Sequence, residues 1–337
     1  MTTTAQETCW RVRRLASGGA TGAIEPLGWD PAARAAADEV VVRVEAAGCN
    51  YKDALCCAGH PGVMRTAPLV PGIDLAGAVV SGGSLPAGTP VVVTGHGLGE
   101  LRDGGFAGWT RVPGEAVIPR PTALSAHAAM AMGTAGLTAL LACDRLAALV
   151  SDRHQVRDEA WLVTGASGGV GMLSVAVLAA AGRTVVACSR KPSAAGVLRE
   201  LGAAEVVAPD AIRDPTPKAL VKGRWAGVVD TVGGGLLAEV LRAVRPGGAV
   251  AALGMAGGAD LVTSVHPFIL RGVTLAGIDA ASLPTRAERV VLWGRLTTLW
   301  PRVAAAFPVV DLSLGDVGGW AARMLAGETM GRGVVIP

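Results

Sequence analysis

Residues 160–171 read Ala-Trp-Leu-Val-Thr-Gly-Ala-Ser-Gly-Gly-Val-Gly and constrain the fold more than any other stretch. A short apolar run ends in a glycine-rich turn. An apolar, alanine-rich helical stretch follows over 172–181. A second strand, Thr184–Cys188, then closes on Ser189-Arg190-Lys191. This order is a strand–turn–helix–strand unit with a phosphate-binding turn. Glycines let bare backbone approach a pyrophosphate, and the helix N-terminus behind them offers unpaired N–H groups and partial positive charge. Ala166, Gly168 and Gly171 hold the G-x-G-x-x-G positions, with alanine standing first. A glycine pattern alone is weak in a chain with 47 glycines. Strand before, helix after and a second strand behind give it the context it needs. The reading is a dinucleotide site in which Ala166, Ser167, Gly168, Gly169 and Val170 wrap the phosphates.

The end of the second strand selects the dinucleotide. An acid there bonds a ribose 2′-hydroxyl. Ser189, Arg190 and Lys191 instead present a hydroxyl and two cations. That set suits a 2′-phosphate, so the expected cofactor is NADP(H). Leu253 and Ile269, read as following later strand ends, are expected to touch it too.

At 337 residues the chain is long enough for two domains with their own cores. Hydrophobic residues reach 51%, yet the apolar stretches read as broken by glycine or charge before the roughly 18 residues of a spanning helix. No membrane partner is expected. The N-terminus, Met-Thr-Thr-Thr-Ala-Gln-Glu, lacks the basic and apolar regions of a signal peptide. A net charge of +3 and scattered tryptophans make no case for nucleic acid. Cys9, Cys49, Cys56, Cys57, Cys143 and Cys188 show no C-x-x-C spacing, which disfavours a disulfide framework or structural zinc. Reduced thiols and a cytoplasmic location are the expectation.

Residues 10–125 read as short β segments, among them 39–45, 78–80 and Pro90–Thr94, with dense glycine and proline punctuation. Stretches 126–132 and 137–150 have helical periodicity. From 160 to 279 strand and helix alternate, with strands expected at 160–164, 184–188, 205–208, 226–230, 248–253 and 273–277. That is the pattern of a doubly wound parallel sheet of six strands. A helix over 286–299 and a last strand over 333–336 follow. The expected fold class is therefore α/β. A Rossmann domain spans 126–279, and a discontinuous β-rich domain is built from 1–125 and 280–337.

Several motifs occur in one order: Gly-Cys-Asn-Tyr-Lys-Asp over 48–53, Pro-Gly-Ile-Asp-Leu-Ala-Gly over 71–77, Gly-Thr-Ala-Gly over 133–136 and the turn at 163–171. Asp-Thr-Val-Gly at 230–233, Pro-Phe-Ile-Leu-Arg at 267–271 and Gly331-Arg332 come later. With these the whole chain resembles the medium-chain dehydrogenase/reductases, and within them the zinc-free acrylyl-CoA reductase and quinone oxidoreductase subgroup. The resemblance implies a GroES-like catalytic domain, a Rossmann domain and a homodimer. Zinc-dependent members place a cysteine near Asn50 and a His-Glu pair near Ile73-Asp74. Asn offers no thiolate and Ile no donor, so no metal is expected. Without a Lewis acid, hydride addition to an activated C=C bond fits the family best. An α,β-unsaturated acyl thioester, on CoA or a carrier protein, is the expected acceptor. A quinone or enone is the alternative, and a non-catalytic NADPH-binding protein the rival of another class.

The resemblance also implies roles for residues. Tyr51, the only tyrosine, falls where relatives place residues beside the nicotinamide; it either packs against the cofactor, donates a proton, or is a buried aromatic. Lys52 either orients a substrate carbonyl, pairs with Asp74, or forms a surface ion pair. Asp74 either ties the 50–53 loop in place or takes part in the chemistry directly. Asn50 either bonds substrate or cofactor or serves a turn, and Thr134 either lies near the cofactor or caps a helix. Arg65 and Arg332 match basic positions of relatives and either meet a CoA or carrier phosphate or are solvated. His96 stands in Thr-Gly-His-Gly where relatives carry Gly-Trp-Gly. It is either an acid, a substrate contact or a plain loop histidine.

Overall fold

A computed structural model of the chain describes residues 7–33, 35–150 and 160–337. The N-terminal residues 1–6, used above to judge a signal peptide, lie outside these. The elements in chain order are β1 (Thr8–Arg14), β2 (Ala20–Pro26), β3 (Glu39–Gly48), α1 (Tyr51–Cys57), β4 (Asp74–Gly82), β5 (Pro90–Thr94), β6 (Trp109–Pro113) and β7 (Ile118–Pro119). Next come α2 (Ala126–Leu149), β8 (Ala160–Val163), α3 (Gly169–Ala180), β9 (Thr184–Cys188), α4 (Ala195–Glu200), β10 (Ala203–Val207), β11 (Trp225–Asp230), α5 (Gly234–Arg242) and β12 (Val244–Ala252). The chain ends with α6 (His266–Arg271), β13 (Thr274–Gly277), α7 (Arg286–Val303), β14 (Val309–Leu312), α8 (Val317–Leu325) and β15 (Arg332–Val335).

The chain divides into two compact units. The first holds Met1–Thr134, Ala280–Trp300 and Pro308–Pro337, and the second Ala135–Asp279 with Pro301–Phe307. In the second unit six parallel strands lie in the order β10-β9-β8-β11-β12-β13. The order reverses beside β8, as in a Rossmann sheet. Strands covered on both faces need continuous apolar runs. Trp225–Asp230 is accordingly buried at every position, and Leu162, Val186, Val228 and Val250 form the core with Leu237, Val240 and Leu241 of α5.

In the first unit β14-β15-β3-β4-β5-β7 form one sheet, with β6 also on β3, beside the antiparallel β1–β2 pair. Val42, Val44, Leu75, Val91, Val93 and Phe106 fill its core, closed by Leu312, Val317 and Trp320 from the C-terminal segment. The last strand thus returns to the first sheet, pairing Val334 with Gly48.

The division falls at Thr134/Ala135 rather than at 125/126. Gly133, at φ 47° and ψ −146°, breaks the helical stretch Ala126–Leu149. Only a residue without a β-carbon takes that conformation readily. The break turns Thr134 back toward β4, so the front part of α2 stays with the first unit. That helix also corrects the reading of interrupted apolar stretches. By length and composition it is apolar enough to cross a membrane, but most of it is buried inside the fold.

Candidate active site and cofactor turn

Sheet register assembles the first part of the site. Gly48 on β3 pairs with Val334 on β15 and with Asp74 on β4, and Asp74 pairs with Thr94 on β5. One end of this sheet therefore collects Asn50, Asp74, Thr94 and, from the start of β15, Arg332. Asp74 is fully buried. Its Oδ2 accepts from Asn50 Nδ2 at 2.9 Å, Thr134 N at 2.8 Å and Arg332 Nη2 at 3.3 Å. Its Oδ1 accepts from the Thr134 hydroxyl. Arg332, only 3% exposed, also donates from Nη1 to Cys49 O and Asn50 Oδ1, both at 2.7 Å, and from Nη2 to Met130 O at 3.2 Å. A buried carboxylate without a partner is costly, and here the guanidinium and three further donors compensate it. Gly48 and Gly133 flank the ion pair closely enough that a β-carbon at either would collide with Asp74 or Arg332.

A second buried acid stands behind the first. Asp53 Oδ1 accepts from the N–H of Gly72 at 3.0 Å and of Ile73 at 2.9 Å, and Oδ2 from the N–H of Asn50 at 2.8 Å. It clamps the start of α1 to the segment entering β4. Burial pushes its carboxyl up to about 7 against the pull of these bonds.

Several expectations change. Lys52 pairs with Glu100, not with Asp74, whose cationic partner is Arg332. Arg332 is neither solvated nor free for a carrier phosphate, because the Asp74 pair holds it. Both donors of Thr134 reach Asp74. Asn50 precedes α1 and bridges Asp74 to Arg332. Tyr51 opens α1 half-buried, and Arg65 is exposed, its N–H held by Glu100 O at 3.0 Å. His96 is half-buried beside Thr94. Arg289 gave no functional signal in the sequence, and Gly48 and Asp53 figured only as the ends of the 48–53 motif, since only tertiary neighbours give them a role.

Asn50 and Ile73 stand at the positions where the resemblance puts the ligands of zinc-dependent members. Among the described residues no group of three or more His, Cys, Asp or Glu could hold a metal ion. Burial pushes the Cys49 thiol up, so it is held as the neutral thiol. Ile73 is buried and offers no donor, and both side-chain ends of Asn50 are bonded within the cluster.

The second unit carries the turn. Gly165, at φ 58°, leads from β8 to α3, and Gly168 N donates to Gly165 O at 3.0 Å. A β-carbon on Gly171 would lie 2.7 Å from Ala166 Cα, so helix and turn approach as only glycine allows. The positive-φ position is Gly165, which is why Ala166 is tolerated at the next one. The first helical bond runs from Met172 N to Gly168 O at 2.9 Å, leaving the N–H groups of 169–171 at the helix start for a ligand. Thr164 Oγ1 donates to Asp230 Oδ1 at 2.6 Å and Thr231 Oγ1 to Thr164 O at 2.9 Å, bracing β8 against β11. At the end of β9, Ser189 is buried with its Oγ accepting from Lys191 N at 3.1 Å, while Arg190 is exposed. Leu253 N donates to Asp230 O at 3.0 Å just past β12. Ile269 lies within α6 rather than after a strand and is 71% exposed. Turn, helix start and basic strand end fit a dinucleotide with a 2′-phosphate.

A Rossmann sheet joined to a discontinuous GroES-like unit defines the medium-chain dehydrogenase/reductase architecture. Comparison with known proteins agrees. Residues 36–122 match the alcohol dehydrogenase GroES-like domain and residues 169–293 the zinc-binding dehydrogenase family. The chain is 41% identical to the acrylyl-CoA reductase AcuI of Ruegeria pomeroyi, over 88% of this chain and 89% of that one. The yhdH oxidoreductase of Salmonella enterica, solved with NADP, superposes with a TM-score of 0.88 at 36% identity, covering 98% of this chain and 99% of that one. The Bacillus subtilis protein yhfP, solved with NAD, gives a TM-score of 0.86 at 35% identity over 98% and 99%. The chain belongs to the zinc-free, quinone-oxidoreductase-like branch of the medium-chain dehydrogenase/reductase family.

Proposed function

We propose that the chain is an NADPH-dependent, zinc-independent reductase of an activated C=C bond, with an α,β-unsaturated acyl thioester on CoA or a carrier protein as acceptor. The observation that carries this reading is the Asn50–Asp74–Arg332 cluster in a chain 41% identical to an acrylyl-CoA reductase. The turn at 165–171 holds the pyrophosphate, and Ser189, Arg190 and Lys191 hold the 2′-phosphate; the strand end has no acid for a bare ribose. When bound, NADPH supplies a hydride equivalent. A conjugated thioester receives it at Cβ and spreads the charge to its carbonyl oxygen. The protein must therefore position that carbonyl and deliver a proton at Cα. Arg332 balances the Asp74 charge, and together they fix Asn50 at the head of α1, where Tyr51 positions the cofactor by packing.

The test is NADPH oxidation with acrylyl-CoA, crotonyl-CoA, a carrier-bound enoyl thioester, an enone and a naphthoquinone. Turnover with the thioesters is expected. Turnover with quinone or enone alone replaces this reading with the second one, and NADPH binding without any turnover leaves a non-catalytic binding protein. The proposed homodimer forms along the open edge strand β13, beside the exposed Val262, Val265, Ile269 and Leu270. Sedimentation of Ile269→Glu as a monomer would support it. A cytoplasmic location belongs to the same reading, since NADPH and CoA thioesters are made and used there.

A further inference from the structure

We propose that His96 is the catalytic acid of the reduction, giving a proton from Nε2 to the carbon α to the substrate carbonyl. The assignment rests on the function proposed above. Among the described residues His96 is the one non-glycine residue with positive φ, 54°. A side chain persists in that conformation where its surroundings impose it, and such outliers gather at functional sites. The surroundings here are a tightly folded loop. Gly95 and Gly97 flank it at φ 71° and 79°. The N–H groups of Glu100, Leu101 and Arg102 all turn to Gly97 O. Arg289, 1% exposed, anchors the base: Nη1 donates to Thr94 O at 3.1 Å and Thr94 Oγ1 at 2.9 Å, Nη2 to Ala281 O at 2.8 Å and Nε to Pro284 O at 3.1 Å.

This locked loop carries a half-buried imidazole whose tautomer is determined. His96 Nδ1 lies 3.1 Å from Thr94 O. A carbonyl oxygen only accepts, so Nδ1 carries the hydrogen and Nε2 is left to bind and release a proton. The loop leaves the sheet at the end where the polar cluster sits. Thr94 pairs with Asp74, and Gly95 N donates to Ile73 O at 2.9 Å. Glu100 of the same loop pairs with Lys52, next to Tyr51. Charged groups held against or carried by the loop include Arg289, Arg102 and the Lys52–Glu100 pair, with Arg65 N on Glu100 O.

In the step itself, hydride from NADPH forms the Cβ–H bond, and the C=C electron pair moves to give the thioester enolate. The proton on Nε2 then forms the Cα–H bond, its N–H pair staying on the ring. The products are the saturated thioester, NADP⁺ and neutral His96, which is reprotonated from solvent.

His96→Asn separates chemistry from shape. Asparagine tolerates the left-handed conformation and keeps an N–H toward Thr94 O, but it has no Nε2. The expected result is a fall in kcat of about 100-fold, with NADPH affinity and melting temperature unchanged. Added imidazole should restore part of the kcat of His96→Gly. A His96→Asn variant with wild-type kcat overturns the proposal. Loss in His96→Asn without imidazole rescue of His96→Gly also overturns it, because the side chain is then structural. A wild-type protein that reduces no thioester, enone or quinone overturns the functional reading itself and the role of His96 with it.

Discussion

Arg332 and Asp74 are the residues on which the polar cluster depends, and each is stable in its place because of the other. Replacing Arg332 by methionine leaves Asp74 buried without its counter-charge. The expected loss is about 3–5 kcal/mol of stability, measured as a lower denaturant midpoint. Arg332→Met should also lower kcat/KM while NADPH affinity holds. Asp53 gives a different signature. Its carboxyl titrates at about 7 in the fold, against about 3.9 in an unfolded chain. The folded state binds this proton more tightly, so the contribution to stability is fully present below about 3.9. It is lost as the pH rises to about 7. Asp53→Asn, which cannot ionise, should abolish that slope in urea titrations taken across this range. Arg332 was visible in the sequence as a matched position, but its role was not. Its partners Asp74 and Asn50 lie 258 and 282 residues away, and no local pattern reports such a pairing.

At the scale of elements, the strand–turn–helix unit over 160–191 was legible because its determinants are local. Apolar runs, glycines and a helix start lie within a single stretch, and β9 occupies the expected Thr184–Cys188. Gly171→Val places a branched side chain against Ala166 Cα and Gly165 O. The expected outcome is loss of NADPH binding by fluorescence titration, with the melting temperature of the other unit preserved. Helix α2 was legible as two helical stretches, and the break between them does fall near 133. Its consequence was not legible, since the Gly133 conformation matters because it brings Thr134 onto Asp74. The β1–β2 hairpin was not delimited either. Its short alternating segments carry weak signals, and pairing with each other decides their bounds.

At the scale of the whole molecule, the first unit is completed by chain that follows the second. The segments Ala280–Trp300 and Pro308–Pro337 bring Arg289, Arg332 and two strands to a sheet begun near the N-terminus. Arg289→Met should therefore destabilise the first unit by about 3 kcal/mol or more, as several buried carbonyl and hydroxyl acceptors lose their donor. Its thermal transition should fall while NADPH binding by the second unit persists. The sequence by itself determined the fold class, the order of elements and the basic strand end that chooses the dinucleotide, because periodicity, glycine placement and charge act over a few residues. It also put Asn50, which has no thiolate, and Ile73, which has no donor, at the positions where zinc-dependent relatives carry ligands. Only the tertiary structure decided which acid pairs with which cation, that Asp53 is a clamp, and that His96 is held on a strained loop with its tautomer determined. Those properties arise from burial and from neighbours far apart in the chain.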